Sequence, residues 1–149
     1  MAIADADRRV LAPLFGKTQW STDVAPSCEV LFVYAKLDTS GNIEGQKKRI
    51  RDFAKDAGAH MVVVALDNPG ECCMKALDPK NDWYANFTVA LDRKEEQLAF
   101  FFKALFVAMF AGHSMLNAWV KLAPQGPGQN PDLPVMFMAA EAGHIVFAR

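Results

Sequence analysis

Two stretches dominate the hydrophobic pattern. Glu29–Leu37 is β-branched, aromatic and almost continuously apolar, and Met61–Leu66 repeats that character. Runs of this kind without polar alternation predict strands covered on both faces. Between them the turn-forming Asp38-Thr39-Ser40-Gly41-Asn42 leads into a stretch whose apolar positions Ile43, Ile50, Phe53, Ala54 and Ala57 recur at helical spacing, with Gly58 as the stop. The spacing predicts a helix over 43–57 and a strand–helix–strand unit, the right-handed crossover between parallel strands. Asn86–Leu91 predicts a third strand, with Asp92 as the cap of a helix starting near Lys94 and running to Ala111. Gly112 ends that helix, and Ser114 caps another running through Leu122. Val135–Ala140 and Ile145–Ala148 predict two strands whose short connection requires an antiparallel hairpin.

These elements predict an α/β fold: a mostly parallel sheet with helices on both faces and a C-terminal antiparallel hairpin, at the edge of the sheet. Residues 1–27 show no sustained period and read as an N-terminal arm or lead-in with Trp20 as a packing anchor, ahead of a single α/β domain over 28–149. A chain of 149 residues is long enough to bury a sizeable core without metal or disulfide support.

Composition narrows the function classes. The net charge of −1 supplies no electrostatic reason to expect nucleic acid or an anionic membrane as partner. The most apolar segment, Leu98–Ala111, is about fourteen residues long and contains Lys103, whereas a membrane span needs roughly twenty. The opening residues are too short and too broken in apolar character for a signal peptide. The three cysteines are an odd count, and the adjacent Cys72 and Cys73 are badly placed to bridge each other. Free thiols and a cytoplasmic location are therefore expected. Nothing in the sequence calls for a cofactor. The aromatic and methionine content of the helix after Lys94 exceeds what one flank of a small sheet covers, which points to a homodimer contact or a protein partner.

Six residues are candidates for chemistry. Cys72 and Cys73 follow the turn after the second strand, where a helix N-terminus lowers a thiol's pKa. Their ordinary alternative is one buried small hydrophobe and one partly exposed thiol. His113, at the corner between two helices, is the imidazole that a Cys72 nucleophile requires. Gly112-His113-Ser114 lacks the strand-to-helix context of a hydrolase elbow, so Ser114 reads as a helix cap. Asp38, Asp67 and Asn68 stand at the carboxyl ends of parallel strands, the edge at which open α/β sheets bind ligands. With Asn42 they outline an acidic, hydrogen-bonding cleft for a cation, an amine or a sugar; the alternative is that Asp and Asn simply form turns. No glycine-rich phosphate loop follows either strand. No Cys/His pairing has metal-ligand spacing, so no metal is expected. Lys47-Lys48-Arg49 with Arg51 is a basic run, read as a solvated face partly balanced by Asp52 and Asp56.

The order of elements over 28–149 resembles the caspase-like clan, and within it the CHAT-type protease domains. The resemblance is carried most specifically by Ala85–Pro124, with an aromatic-rich helix "FFKALFVAMFAG" followed by "HSMLNAWVKLA", and then by a strand containing Phe before a glycine turn, Pro134–Gly143. It implies a caspase-like sheet, with a flavodoxin-like layout as the alternative. It also implies a histidine at the end of the first strand and a cysteine at the end of the second. Here those strands end Tyr34-Ala35-Lys36-Leu37-Asp38 and Ala65-Leu66-Asp67-Asn68-Pro69. The family's dyad is missing, so its protease activity does not carry over. The expected function is a non-catalytic α/β domain acting through self-association or a protein partner. The alternatives are a small cysteine-dependent hydrolase with Cys72 displaced from the usual position, and a small-ligand module at the carboxyl edge.

Overall fold

In the computed structural model, which describes residues 1–19, 21, 26–46, 48–78, 85–123, 132–140, 145 and 147, the two apolar runs form neighbouring parallel strands. The elements in chain order are α1 (Ala2–Leu11), β1 (Val30–Val33), α2 (Ile50–Ala57), β2 (Met61–Val64), α3 (Gly70–Ala76), β3 (Asn86–Asp92), α4 (Gln97–Phe110), α5 (Met115–Leu122) and β4 (Val135–Ala140). They make an α/β fold on a four-stranded mixed sheet. The chain divides into two compact units, one of Gln19–Asp92 with Val135–Ala142, the other of Met1–Thr18, Arg93–Pro134 and Gly143–Arg149.

The first of these units holds the sheet, in the order β1-β2-β3-β4, with β1, β2 and β3 parallel and β4 antiparallel to β3. The register pairs Leu31 with Val62 and Val62 with Phe87, and two residues on it pairs Val33 with Val64 and Val64 with Val89. Since side chains alternate along a strand, these residues share one face. That face packs with Ile50, Ala54 and Ala57 of α2 and with Cys72, Cys73 and Ala76 of α3. Consecutive right-handed crossovers that step in the same direction place their helices on the same side, so α2 and α3 cover the same face. Every residue of β2 is buried, as its unbroken apolar run predicts.

Several boundaries differ from expectation. The helix expected from Ile43 begins at Ile50. Gly45 takes φ +78° and the segment around it closes through bridges Leu37–Ile43 and Asn42–Arg49, so Ile43 reaches the core from a folded loop. Asp52 sets the start of α2 by accepting the Arg49 backbone N–H at 3.1 Å. β1 stops at Val33, shorter than its apolar run. The antiparallel edge is β4 paired with β3; most of 141–149 lies outside the described residues, and Ile145 and Phe147 belong to no strand. Trp20 also lies outside the described residues.

The second unit is helical. The lead-in carries α1, whose buried positions are Ala4, Asp7 and Leu11. The helical period is present but a carboxylate occupies its central inward position, which hides it from a hydrophobicity pattern. Asp7, 1% exposed, accepts two hydrogen bonds from Arg93, 4% exposed, at 2.7 and 3.1 Å. Arg93 Nε also donates to the Glu95 carbonyl at 3.1 Å. That grip spans a connection in which Lys94 (φ 48°) and Glu95 (φ 53°) are both left-handed, a costly arrangement for residues with side chains. Asp92 is the last residue of β3, and α4 starts after Glu96 with no side-chain cap, so the expected Asp92 cap is not made.

Ser114 does cap α5, accepting the Asn117 N–H at 3.2 Å. The core of the unit is aromatic: Phe15 meets Phe106 at 5.3 Å, Phe147 meets Phe110 at 4.7 Å, and Trp119 meets Phe101 at 5.2 Å. Met115 N–H donates to the Ile145 carbonyl at 2.8 Å, tying the start of α5 to the end of the chain. Among the described residues no helix is long and apolar enough to cross a membrane.

Candidate functional site

The carboxyl ends of β1 and β2 lie side by side, and three candidate residues sit there. Asn68 is buried and its amide is used internally: Oδ1 accepts the Leu37 N–H at 2.7 Å and Nδ2 donates to the Leu66 carbonyl at 2.8 Å. Its backbone N–H donates to Ala90 O at 3.0 Å, so one residue joins the segments that follow β1 and β2 to β3. Asp38 is half-buried, and its Oδ1 accepts the backbone N–H groups of Ser40 and Asn42, both at 2.9 Å, which is the Asx-turn use of that residue type. Asp67 is exposed, and its carbonyl accepts from the Lys36 ammonium. The order of the described strands runs consecutively without a reversal, and a reversal is what opens a crevice at the edge of doubly wound sheets. The three residues therefore share an edge, with the amide of Asn68 turned inward.

The thiols lie in α3, which begins at Gly70 after the turn. Cys72 is 3% exposed and Cys73 fully buried, both within the apolar cluster beneath the sheet. Cys73 Sγ lies 3.7 Å from the Asn68 carbonyl and 4.0 Å from that of Ala90. Burial, helped by the neighbouring Cys72, pushes the Cys73 thiol up to about 11, away from the reactive thiolate. A short helix start does not offset that desolvation. His113 stands exposed on the corner after α4, where Gly112 adopts φ +106°. All three cysteines are free, and burial also raises the Cys28 thiol. Among the described residues no cluster of His, Cys, Asp or Glu is arranged to hold a metal ion.

Beside the Asp38 turn lies a cavity of about 230 Å³ whose polar lining includes Ser40, Asn42, Arg49, Arg51, Lys75 and Asp78. Its back wall is close-packed: a Cβ on Gly41, which has φ +80°, would stand 2.5 Å from the Ala76 nitrogen. The basic run divides here. Lys48 turns away, pairing with Asp56 at 2.6 Å and lying over the Phe53 ring, while Arg49 and Arg51 line the cavity with Lys75. Slight burial acts to raise the Asp52 carboxyl, but hydrogen bonds and charge from Arg49, with the charge of Lys48, hold it below its ordinary value. Nothing in the sequence near Lys75 announces its place; it joins the arginines because the end of α3 and the start of α2 both border the loop at Ser40–Asn42.

In the helical unit the outward side of α4 is apolar. Phe100 is 47% and Val107 49% exposed, two turns apart, with exposed Lys103 and Ala104 between them. On α5, Leu116 and Val120 are likewise exposed, one turn apart. No protein-family model, no curated protein and no solved structure matches the chain.

Proposed function

We propose that the chain is a non-catalytic α/β module that works by self-association, a second copy packing against the outward sides of α4 and α5. The carrying observation is the exposure of Phe100 and Val107 on a helix that is apolar almost all round. A two-fold contact lets one such patch meet itself, and the single Lys103 within it leaves little charge to desolvate. Burying the remaining half of each large side chain contributes on the order of 1 kcal/mol. The gross gain from Phe100, Val107, Leu116 and Val120 on both copies is offset in part by the cost of association, which fits a weak dimer better than an obligate one. The absence of the resembled family's dyad and the burial of Cys72 support a non-catalytic role.

Light scattering on eluting protein, from about ten to several hundred micromolar, tests this reading. The expected result is a mass rising from 16.4 kDa toward twice that value, and a Phe100→Glu variant that stays monomeric. A mass fixed at the monomer value across the range sinks it.

A further inference from the structure

The cavity lined by Arg49, Arg51 and Lys75 has a charge and an enclosure that the dimer reading leaves unused. We propose that it binds a phosphate-type oxyanion, as inorganic phosphate or as the phosphate group of a small ester. Three cationic residues and one acidic one, Asp78, line a space of about 230 Å³, so the lining is net positive. Among the described residues Arg51 and Lys75 have no ion pair or side-chain hydrogen bond, and Arg49 commits only its Nε, at 3.4 Å, to Asp52. Guanidinium and ammonium groups bordering a concavity are the donors that oxyanions select, with arginine supplying a fork and lysine a point charge.

The start of α2 adds to this, since among the described residues the Ile50 and Arg51 amides have no intrahelical partner and the helix dipole is positive at that end. The loop at Ser40 and Asn42 is already tied to Asp38, so the wall is ordered without a ligand. The volume admits a phosphate with a few carbons attached and is below the usual range for a nucleotide-sized ligand.

The test is a titration of the ¹⁵N-labelled full chain with inorganic phosphate and, in a second arm, glycerol 3-phosphate, chloride being withdrawn to hold ionic strength constant. The expected result is saturable shifts at the amides of Gly41, Asn42, Ile50, Arg51 and Lys75. Lys75→Gln and Arg51→Gln each weaken binding by about tenfold or more, while Lys121→Gln on α5 leaves it unchanged. Tighter binding of the ester assigns an esterified ligand, and equal binding assigns free phosphate. Shifts that do not saturate, that spread equally to Lys103 and Lys121, or that survive Lys75→Gln overturn the proposal. Lys75 is exposed, so its variant keeps the test valid if Arg51→Gln fails to fold. The dimer reading stands or falls separately, because its patch lies on α4 and α5.

Discussion

Removing Asp7 takes the carboxylate from a guanidinium that stays buried. In Asp7→Ala the guanidinium of Arg93, 4% exposed, loses hydrogen bonds of 2.7 and 3.1 Å and keeps its carbonyl contact at Glu95. Breaking a buried ion pair in this way costs about 3–5 kcal/mol. With a urea dependence near 2 kcal/mol per molar, that is a midpoint shift of about 2 M. Urea unfolding followed by circular dichroism measures it. The companion variant Asp7→Leu/Arg93→Met separates the pair's net contribution from the penalty of orphaning a charge, because an apolar replacement of a buried pair is often close to neutral. The double variant is expected to recover most of the loss but to remain about 1 kcal/mol short, since it also releases the Glu95 carbonyl that steadies two left-handed residues. A cost below about 1 kcal/mol for Asp7→Ala, the range of an exposed pair, refutes the reasoning.

Three further outcomes follow from the geometry. Asn68→Ala strands the Leu37 N–H and the Leu66 carbonyl contact, and is expected to cost about 2–4 kcal/mol in the same unfolding assay; a cost under 1 kcal/mol contradicts its joining role. The Cys73 thiol is raised from 9.0 to about 11, so folding favours its protonated form. Its contribution is complete below pH 9 and is lost as pH rises toward 11, and Cys73→Ala should flatten that alkaline decline in a melting series. Gly41→Ala combines φ +80° with a 2.5 Å approach to Ala76, and is expected to lower stability by about 2 kcal/mol or more; a melting temperature equal to the wild type disproves the close packing.

What the sequence made legible was what short-range pattern encodes. Val62, Val63 and Val64 announce a doubly covered strand, and Ser114 after Gly112 announces a cap. What it hid depends on partners distant in the chain. Asp7 looks like a solvated acid until Arg93, 86 residues on, is known to face it, and the helix it belongs to was invisible for that reason. The start of α2 was misplaced because Ile43 keeps helical spacing with Ile50 while reaching the core by a loop. Asp38, Asp67 and Asn68 do follow parallel strands, but the inward turn of Asn68 and the meeting of Lys75 with Arg49 and Arg51 depend on the order of strands. No local pattern records that order.

The last stretch of the chain completes both units. β4 supplies the only antiparallel partner of β3 in the described sheet, and Phe147 closes the aromatic cluster with Phe15, Phe106 and Phe110. During synthesis, therefore, the parallel strands and their two crossover helices can assemble while the chain is still being extended. The helical unit must wait, with α4 already made and its apolar faces uncovered, until residue 147 leaves the ribosome. Chaperone capture of nascent chains is expected to peak in that interval.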